Sequence, residues 1–219
     1  MLKALLFDVD GTLADTDPVH VRAFERSLAP YGVSVDEAFY RHRISGRTNA
    51  AIFADLFPDR SPEEHVRLSE EKEALYREIS GELAPLQGLA AVLDWATQAG
   101  CRLAAVTNGP RLNLKHALDG LALHGRFDVL IAREDVELGK PDPMPYLTAL
   151  DRLGVRAGEA IAFEDSTAGV SAAKAAGLFT FGLLTTQTAA VLKAAGADAT
   201  IADFEDSELW AVLRQRARP

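Results

Sequence analysis

The chain has 219 residues, 48% of them hydrophobic and 25% charged, and a formal net charge of −9 at pH 7. A chain of this length and composition can bury a core of its own, and its acidic balance speaks against a nucleic-acid partner, which asks for a basic face. The single cysteine, Cys101, excludes an intramolecular disulfide, and no apolar run approaches the ~20 residues of a membrane span.

The opening stretch from Leu2 to Val9 reads as a short buried strand bounded by "DGT". Asp8 ends the apolar run too early for a signal peptide, so a cytoplasmic location without a membrane partner is expected. Asp17-Pro18 has the pattern of an N-cap followed by Pro at the first helical position, and Val21, Phe24 and Leu28 continue at helical spacing. Only helical signals follow as far as about Leu83. Among them, Ser61, Pro62 and Glu64 form a capping box around Pro at the first position.

After Pro85 helices and strands alternate. The helix "LAAVLDWATQAG" closes on Gly100; the strand "CRLAAVTNG" and the helix "PRLNLKHALDGL" follow. Next come the strand "FDVLIA", the helix "PMPYLTALDRLG", the strand "EAIAFED" and the helix "AGVSAAKAAG". The strand "FTFGLL", the helix "TAAVLKAAGA", the strand "ATIADF" and the helix "SELWAVLRQR" complete the chain. This alternation predicts an α/β fold, a Rossmann-like parallel sheet with helices on both faces. The expected domains are a core of residues 1–16 and 84–219 and an inserted all-helical cap of residues 17–83. Trp95 and Trp210, on amphipathic helices, are expected in the core, as is Cys101.

In open parallel sheets ligands bind beyond the carboxyl ends of the strands. Asp8, Asp10, Gly11 and Thr12 follow the first strand, Thr107-Asn108-Gly109 the second, and Glu164-Asp165 the strand "EAIAF". Lys140 lies in the loop "GKPDP", which Asp142 is expected to shape. Clustered carboxylates cannot all ionise cheaply without a cation among them, and oxygen ligands suit Mg²⁺. Asp8 and Asp165 can bind it by side chains. If the strand stays extended, the Asp8 and Asp10 side chains point to opposite sides, so Asp10 can offer its main-chain carbonyl and keep its carboxyl free. Backbone N–H groups in the "DGT" and "TNG" turns can cradle phosphate oxygens, and Lys140 can balance the charge of nucleophile and phosphate. Asp8 then reads as a nucleophile and Asp10 as its proton partner.

Taken singly, each motif has a plainer reading: a strand-end turn for Asp8 and Asp10, a helix N-cap for Glu164-Asp165-Ser166, a simple turn for "TNG". Other motifs are absent. Glu134 and Pro141 stand where a phosphate-binding loop ending at Lys140 needs Gly and Ser/Thr, and there is no Cys/His cluster for zinc.

In order, "FDVDGTL", "VTNG", "GKPDP" and "FEDSTAG" resemble the haloacid dehalogenase superfamily of phosphohydrolases. The likeness is to members with a helical cap after the first strand, β-phosphoglucomutase-like and phosphoglycolate-phosphatase-like. The resemblance implies that Asp8 forms an aspartyl-phosphate, that Asp10 is the general acid/base, and that Thr107, with Asn108 beside it, binds phosphate. It implies that Lys140 is the motif lysine and that Asp165 with Glu164 binds Mg²⁺. Asp10 argues against dehalogenation. "TNG" looks like the phosphatase members, with phosphomutase the alternative because His20 sits where mutases carry a functional histidine. The insert would act as a lid. Gly46-Arg47 resembles its substrate loop, and Arg47 would meet the far side of a phosphorylated substrate. His20 and Arg43 are weaker candidates and Lys72 weaker still; Arg41, His42 and Arg43 otherwise read as a solvated face.

The expected activity is therefore an Mg²⁺-dependent phosphatase, a monomer, acting on a small phosphorylated metabolite such as a sugar phosphate or phosphoglycolate. A remote alternative is a phospho-accepting signalling module of receiver type. Receivers are about half this length, have no helical insert, and place the phosphoacceptor after a later strand.

Overall fold

Strand β1 (Ala4–Phe7) consists of four side chains that are all buried, so it must lie inside a sheet covered on both faces. The structure, a computed structural model describing residues 1–44 and 47–217, places it there. The chain divides into two compact units, residues Met1–Asp15 with Ala84–Pro219, and residues Thr16–Leu83.

The first unit carries β1, β2 (Arg102–Val106), β3 (Val129–Ile131), β4 (Ala160–Glu164), β5 (Phe179–Leu183) and β6 (Ala199–Ile201). All the pairings are parallel, in the order β3-β2-β1-β4-β5-β6. The order reverses between β1 and β4, which is the switch point where such sheets leave a crevice at their carboxyl ends. Even-numbered residues of β1, Ala4 and Leu6, pack with Ala104, Val106, Ala160 and Ala162 against Tyr146, Ala149 and Leu150 of the helix Met144–Leu153. Side chains alternate along a strand, so Phe7 faces the other way. There it stacks on Phe163 at 4.7 Å and approaches Phe204 at 5.9 Å.

The expected strands are shorter in the structure. Strand β1 ends at Phe7, before Asp8, and the chain bends at Val9. Trp95 and Trp210, expected in the core, are half-buried and meet edge to face at 6.3 Å; the Trp210 indole N–H donates to Phe204 O. Cys101 is buried.

The second unit holds α1 (Asp17–Leu28), α2 (Glu37–Phe39) running into a π-helical turn (Tyr40–Ile44), α3 (Asn49–Leu56) and α4 (Pro62–Ile79). Phe24, Leu28, Tyr40, Ile52, Phe53 and Leu68 form its core. The capping box at Ser61 and Glu64 is present. Asp17 is the first helical residue rather than the N-cap, which falls on Thr16, and its carboxylate accepts from the Tyr40 hydroxyl at 2.8 Å. No helix among the described residues is long and apolar enough to cross a membrane.

Candidate active site

Phe7 is level with Ala105 on β2 and Phe163 on β4. The next residue, Asp8, therefore emerges between the ends of both neighbours, its N–H donating to Phe163 O at 3.0 Å. Lys140 reaches it from the loop before the helix Met144–Leu153. Its Nζ lies 2.6 Å from Asp8 Oδ1, 2.6 Å from Glu164 Oε1 and 2.7 Å from Val106 O. Each ammonium hydrogen thus has an acceptor. Glu164 is fully buried, and its Oε1 also accepts from the Tyr146 hydroxyl.

Asp8, Glu164 and Asp165, all buried, present carboxylate oxygens within 4.8 Å of one another. Three carboxylates around one buried ammonium leave surplus negative charge, and the protonation of the site follows from that. Burial, opposed by Lys140 and reinforced by Glu164 and Asp10, pushes the Asp8 carboxyl up to about 8. Burial works against the Lys140 ammonium, but the charges of Asp8 and Glu164 outweigh it and hold the proton above the usual lysine range. Burial and the charge of Glu164 raise the Tyr146 hydroxyl well above its ordinary value, so it stays a donor. An all-oxygen cluster with uncompensated charge fits a hard divalent cation such as Mg²⁺.

The "DGT" segment does not continue β1. Gly11 adopts φ +77° and Asp10 bridges to Ala14, so strand alternation does not set the Asp10 direction. The Gly11 N–H donates to Ala14 O at 2.8 Å and the Thr12 N–H to Val9 O at 3.2 Å. The amides expected to cradle phosphate at Gly11 and Thr12 hold the turn itself. Thr12 Oγ1, fully buried, has no hydrogen-bond partner among the described residues.

In "TNG", Thr107 Oγ1 accepts from the Gly109 N–H at 2.9 Å, which spends that amide and leaves the hydroxyl proton to donate. A methyl built at Gly109 would lie 3.2 Å from Thr107 Oγ1 and 3.9 Å from Asp10 Oδ2, so both groups face one small space. Asn108, expected at the phosphate, spends its amide on the Lys140 main chain instead. Nδ2 donates to Lys140 O at 3.0 Å, and Oδ1 accepts from the Lys140 N–H at 2.8 Å. Asp142 shapes its loop by accepting from the Met144 N–H. Ser166 caps the helix Thr167–Ala175 through the Gly169 N–H, so the N-cap reading of this motif also holds.

Three residues escaped the sequence reading: Tyr146, and Thr185 and Thr186 beyond β5. Thr185 Oγ1 donates to Gly11 O at 2.6 Å and the Thr186 hydroxyl to Asp165 Oδ2. The rule that chemistry collects at carboxyl ends of strands, applied to β5 as well, points to both.

In the helical unit, His20 stacks on Tyr76 at 4.1 Å, and Lys72 Nζ donates to His20 Nδ1 at 2.9 Å. An ammonium can only donate, which puts the proton of a neutral ring on Nε2. Lys72, the weakest candidate by sequence, is 2% exposed, pairs with Glu73 at 2.9 Å and lies over the Phe24 ring. Arg47 is engaged within the unit. Nη1 donates to Arg43 O and Asp55 Oδ2, and Nη2 to Ala51 O. Hydrogen bonds from Arg43 and Arg47 hold the Asp55 carboxyl below the usual range. Arg41, His42 and Arg43 are exposed. Gly46, of the expected substrate loop, lies outside the described residues. The structure thus gathers Asp8, Lys140, Glu164 and Asp165, with Asp10, Thr107 and Asn108 around the adjoining turns; His20 and Arg47 belong to the helical unit.

The family model described as haloacid dehalogenase-like hydrolase matches residues 2–177. The phosphorylated carbohydrates phosphatase of Thermotoga maritima is 34% identical over 182 residues, covering 81% of this chain and 82% of the relative. The validoxylamine A 7′-phosphate phosphatase of Streptomyces hygroscopicus subsp. limoneus is 36% identical, covering 94% of this chain and 96% of the relative. The crystal structure of CbbY from Rhodobacter sphaeroides in complex with phosphate superposes with a TM-score of 0.83 at 32% identity, over 94% of this chain and 96% of that one.

Proposed function

This chain belongs to the haloacid dehalogenase-like hydrolases and is a phosphoric monoester hydrolase, and on that premise we propose that it dephosphorylates a small phosphorylated metabolite, a sugar phosphate or a compound like it, with the phosphoryl group carried on Asp8. The observation that carries this reading is the Asp8–Lys140–Glu164 arrangement, two 2.6 Å contacts at the switch point of the sheet.

An Asp8 carboxylate oxygen attacks phosphorus in line as the ester P–O bond breaks, and Asp10 gives its proton to the departing alcohol oxygen. Asp10, now a carboxylate, takes a proton from water. The water oxygen attacks phosphorus, the bond to Asp8 breaks, and orthophosphate leaves with both aspartates restored. Lys140 holds its charge beside the nucleophile through both steps, and the Thr107 hydroxyl donates to a phosphoryl oxygen. Asp8 and Asp165, with Glu164 and the Asp10 carbonyl, would hold Mg²⁺. When bound there, the cation supplies positive charge to the phosphoryl oxygens. The inserted helical unit is proposed as the lid that selects the substrate, with His20 and Arg47 its candidate contacts.

The test is ³¹P NMR with Mg²⁺ and a panel of sugar phosphates and phosphoglycolate. Inorganic phosphate is expected to grow from at least one, and Asp8→Asn is expected to fold and release none. A phosphoryl group moving between positions of a sugar with little free phosphate would overturn the hydrolase reading in favour of a mutase.

A further inference from the structure

Strand β5 is buried along four of its five residues, and beyond it the chain turns to Leu184-Thr185-Thr186-Gln187-Thr188, three of them threonines. The register sets Gly182 level with Glu164, so the turn after β5 rises beside Asp165. The Leu184 N–H still donates to Ile201 O at 3.0 Å, which ties the start of the turn to β6. Thr188 caps the next helix by accepting from the Val191 N–H. Between these two anchors the hydroxyls of Thr185 and Thr186 reach back across the sheet. Thr186 donates to Asp165 Oδ2, and Thr185 donates to Gly11 O, 174 residues away in sequence, at 2.6 Å.

These two acceptors come from the two loops that build the proposed metal site, one after β1 and one after β4. The loops are pressed together at this point. A methyl built at Gly11 would fall 2.1 Å from Asp165 Oδ2 and 3.0 Å from Thr186 Oγ1. The Asp165 carboxylate therefore rests on the bare backbone of Gly11, and a hydroxyl donor holds one of its oxygens. A carboxylate fixed in this way presents its other oxygen in one direction.

We propose that Thr186, anchored by Thr185, is a positioning residue for the divalent cation: it orients Asp165 as a ligand and locks the Gly11 turn to it. This rests on the reading of Asp8 and Asp165 as the cation site. Partners that orient a metal ligand are worth about 10- to 100-fold in metal affinity. Thr186→Val keeps the shape of the side chain and removes the donor.

The experiment is isothermal titration of the chelator-treated full-length protein with Mg²⁺ alone, supported by the Mg²⁺-induced rise in Tm. Thr186→Val is expected to bind Mg²⁺ about tenfold more weakly or worse, and Thr185→Val to shift in the same direction. Thr186→Ser, which restores the hydroxyl, is expected to bind as the parent does, a rescue that a merely space-filling role would not show. Asp165→Asn is the reference. If it loses Mg²⁺ while Thr186→Val binds normally, the positioning role is wrong and the metal site stands. If Asp165→Asn itself binds normally, the metal-site reading fails and the proposal with it.

Discussion

Asn108 and Lys140 exchange a pair of hydrogen bonds, the Asn108 amide donating to Lys140 O and accepting from the Lys140 N–H. The pair joins the loop after β2 to the loop after β3, and so fixes the backbone from which the lysine reaches Asp8. Asn108→Ala removes both bonds without touching the ammonium. We expect kcat to fall about tenfold or more, since two net bonds of about 1 kcal/mol each are lost, with the far-UV spectrum unchanged. Steady-state phosphate release measures it; an unaltered kcat would mean that the loop holds Lys140 without Asn108.

Gly169 sits in the first turn of the helix Thr167–Ala175, where alanine would ordinarily be the better helix former by about 1 kcal/mol. Here the sign reverses. A methyl at this position would lie 1.8 Å from Glu164 Oε2 and 2.0 Å from its carboxyl carbon, and Glu164 is held by Lys140 and Tyr146. Gly169→Ala is expected to destabilise the chain by about 1–3 kcal/mol, the range for overpacking, and to impair turnover. Denaturant unfolding of the variant beside the parent decides this.

The buried pair in the helical unit sets a pH response on the acid side. Burial works to raise the Glu73 carboxyl, but the charge of Lys72 and hydrogen bonds from Lys72 and Asn49 prevail and hold it below the usual range. Its contribution to stability is fully present above the ordinary carboxylate pKa. It is lost as pH falls through the folded value, because the unfolded chain takes up the proton first. Glu73→Gln is expected to flatten the Tm profile below about pH 4.5. An identical acid profile in the variant would contradict it.

Asp8 acts in the opposite sense and in a different window. Its folded pKa is raised to about 8, so above its ordinary value the unfolded chain is ionised while the folded chain retains the proton. Each further rise in pH then costs stability until about pH 8, beyond which the dependence levels off. Chelator-treated protein is expected to lose Tm across that interval, Asp8→Asn to show no such loss, and added Mg²⁺ to abolish it in the parent. A slope that survives in Asp8→Asn would assign it to another group.

The sequence by itself determined the α/β alternation and the order of the motifs. Both depend on local chemistry: apolar runs such as Ala4–Phe7, the capping box at Ser61, and acids placed where strands end. The convergence of Asp8, Lys140 and Asp165 was legible for the same reason, because a parallel sheet gathers its carboxyl ends. Tertiary structure alone decided how each polar group is used. The order β3-β2-β1-β4-β5-β6 brings Thr185 and Thr186 to Gly11 and Asp165, and no local pattern encodes a contact between residues 174 apart. It also spends Asn108 on the Lys140 backbone, Arg47 on Asp55, and the Gly11 amide on Ala14. Hydrogen-bond capacity belongs to a residue type, but its partner is set by whichever donors and acceptors the fold leaves within about 3 Å.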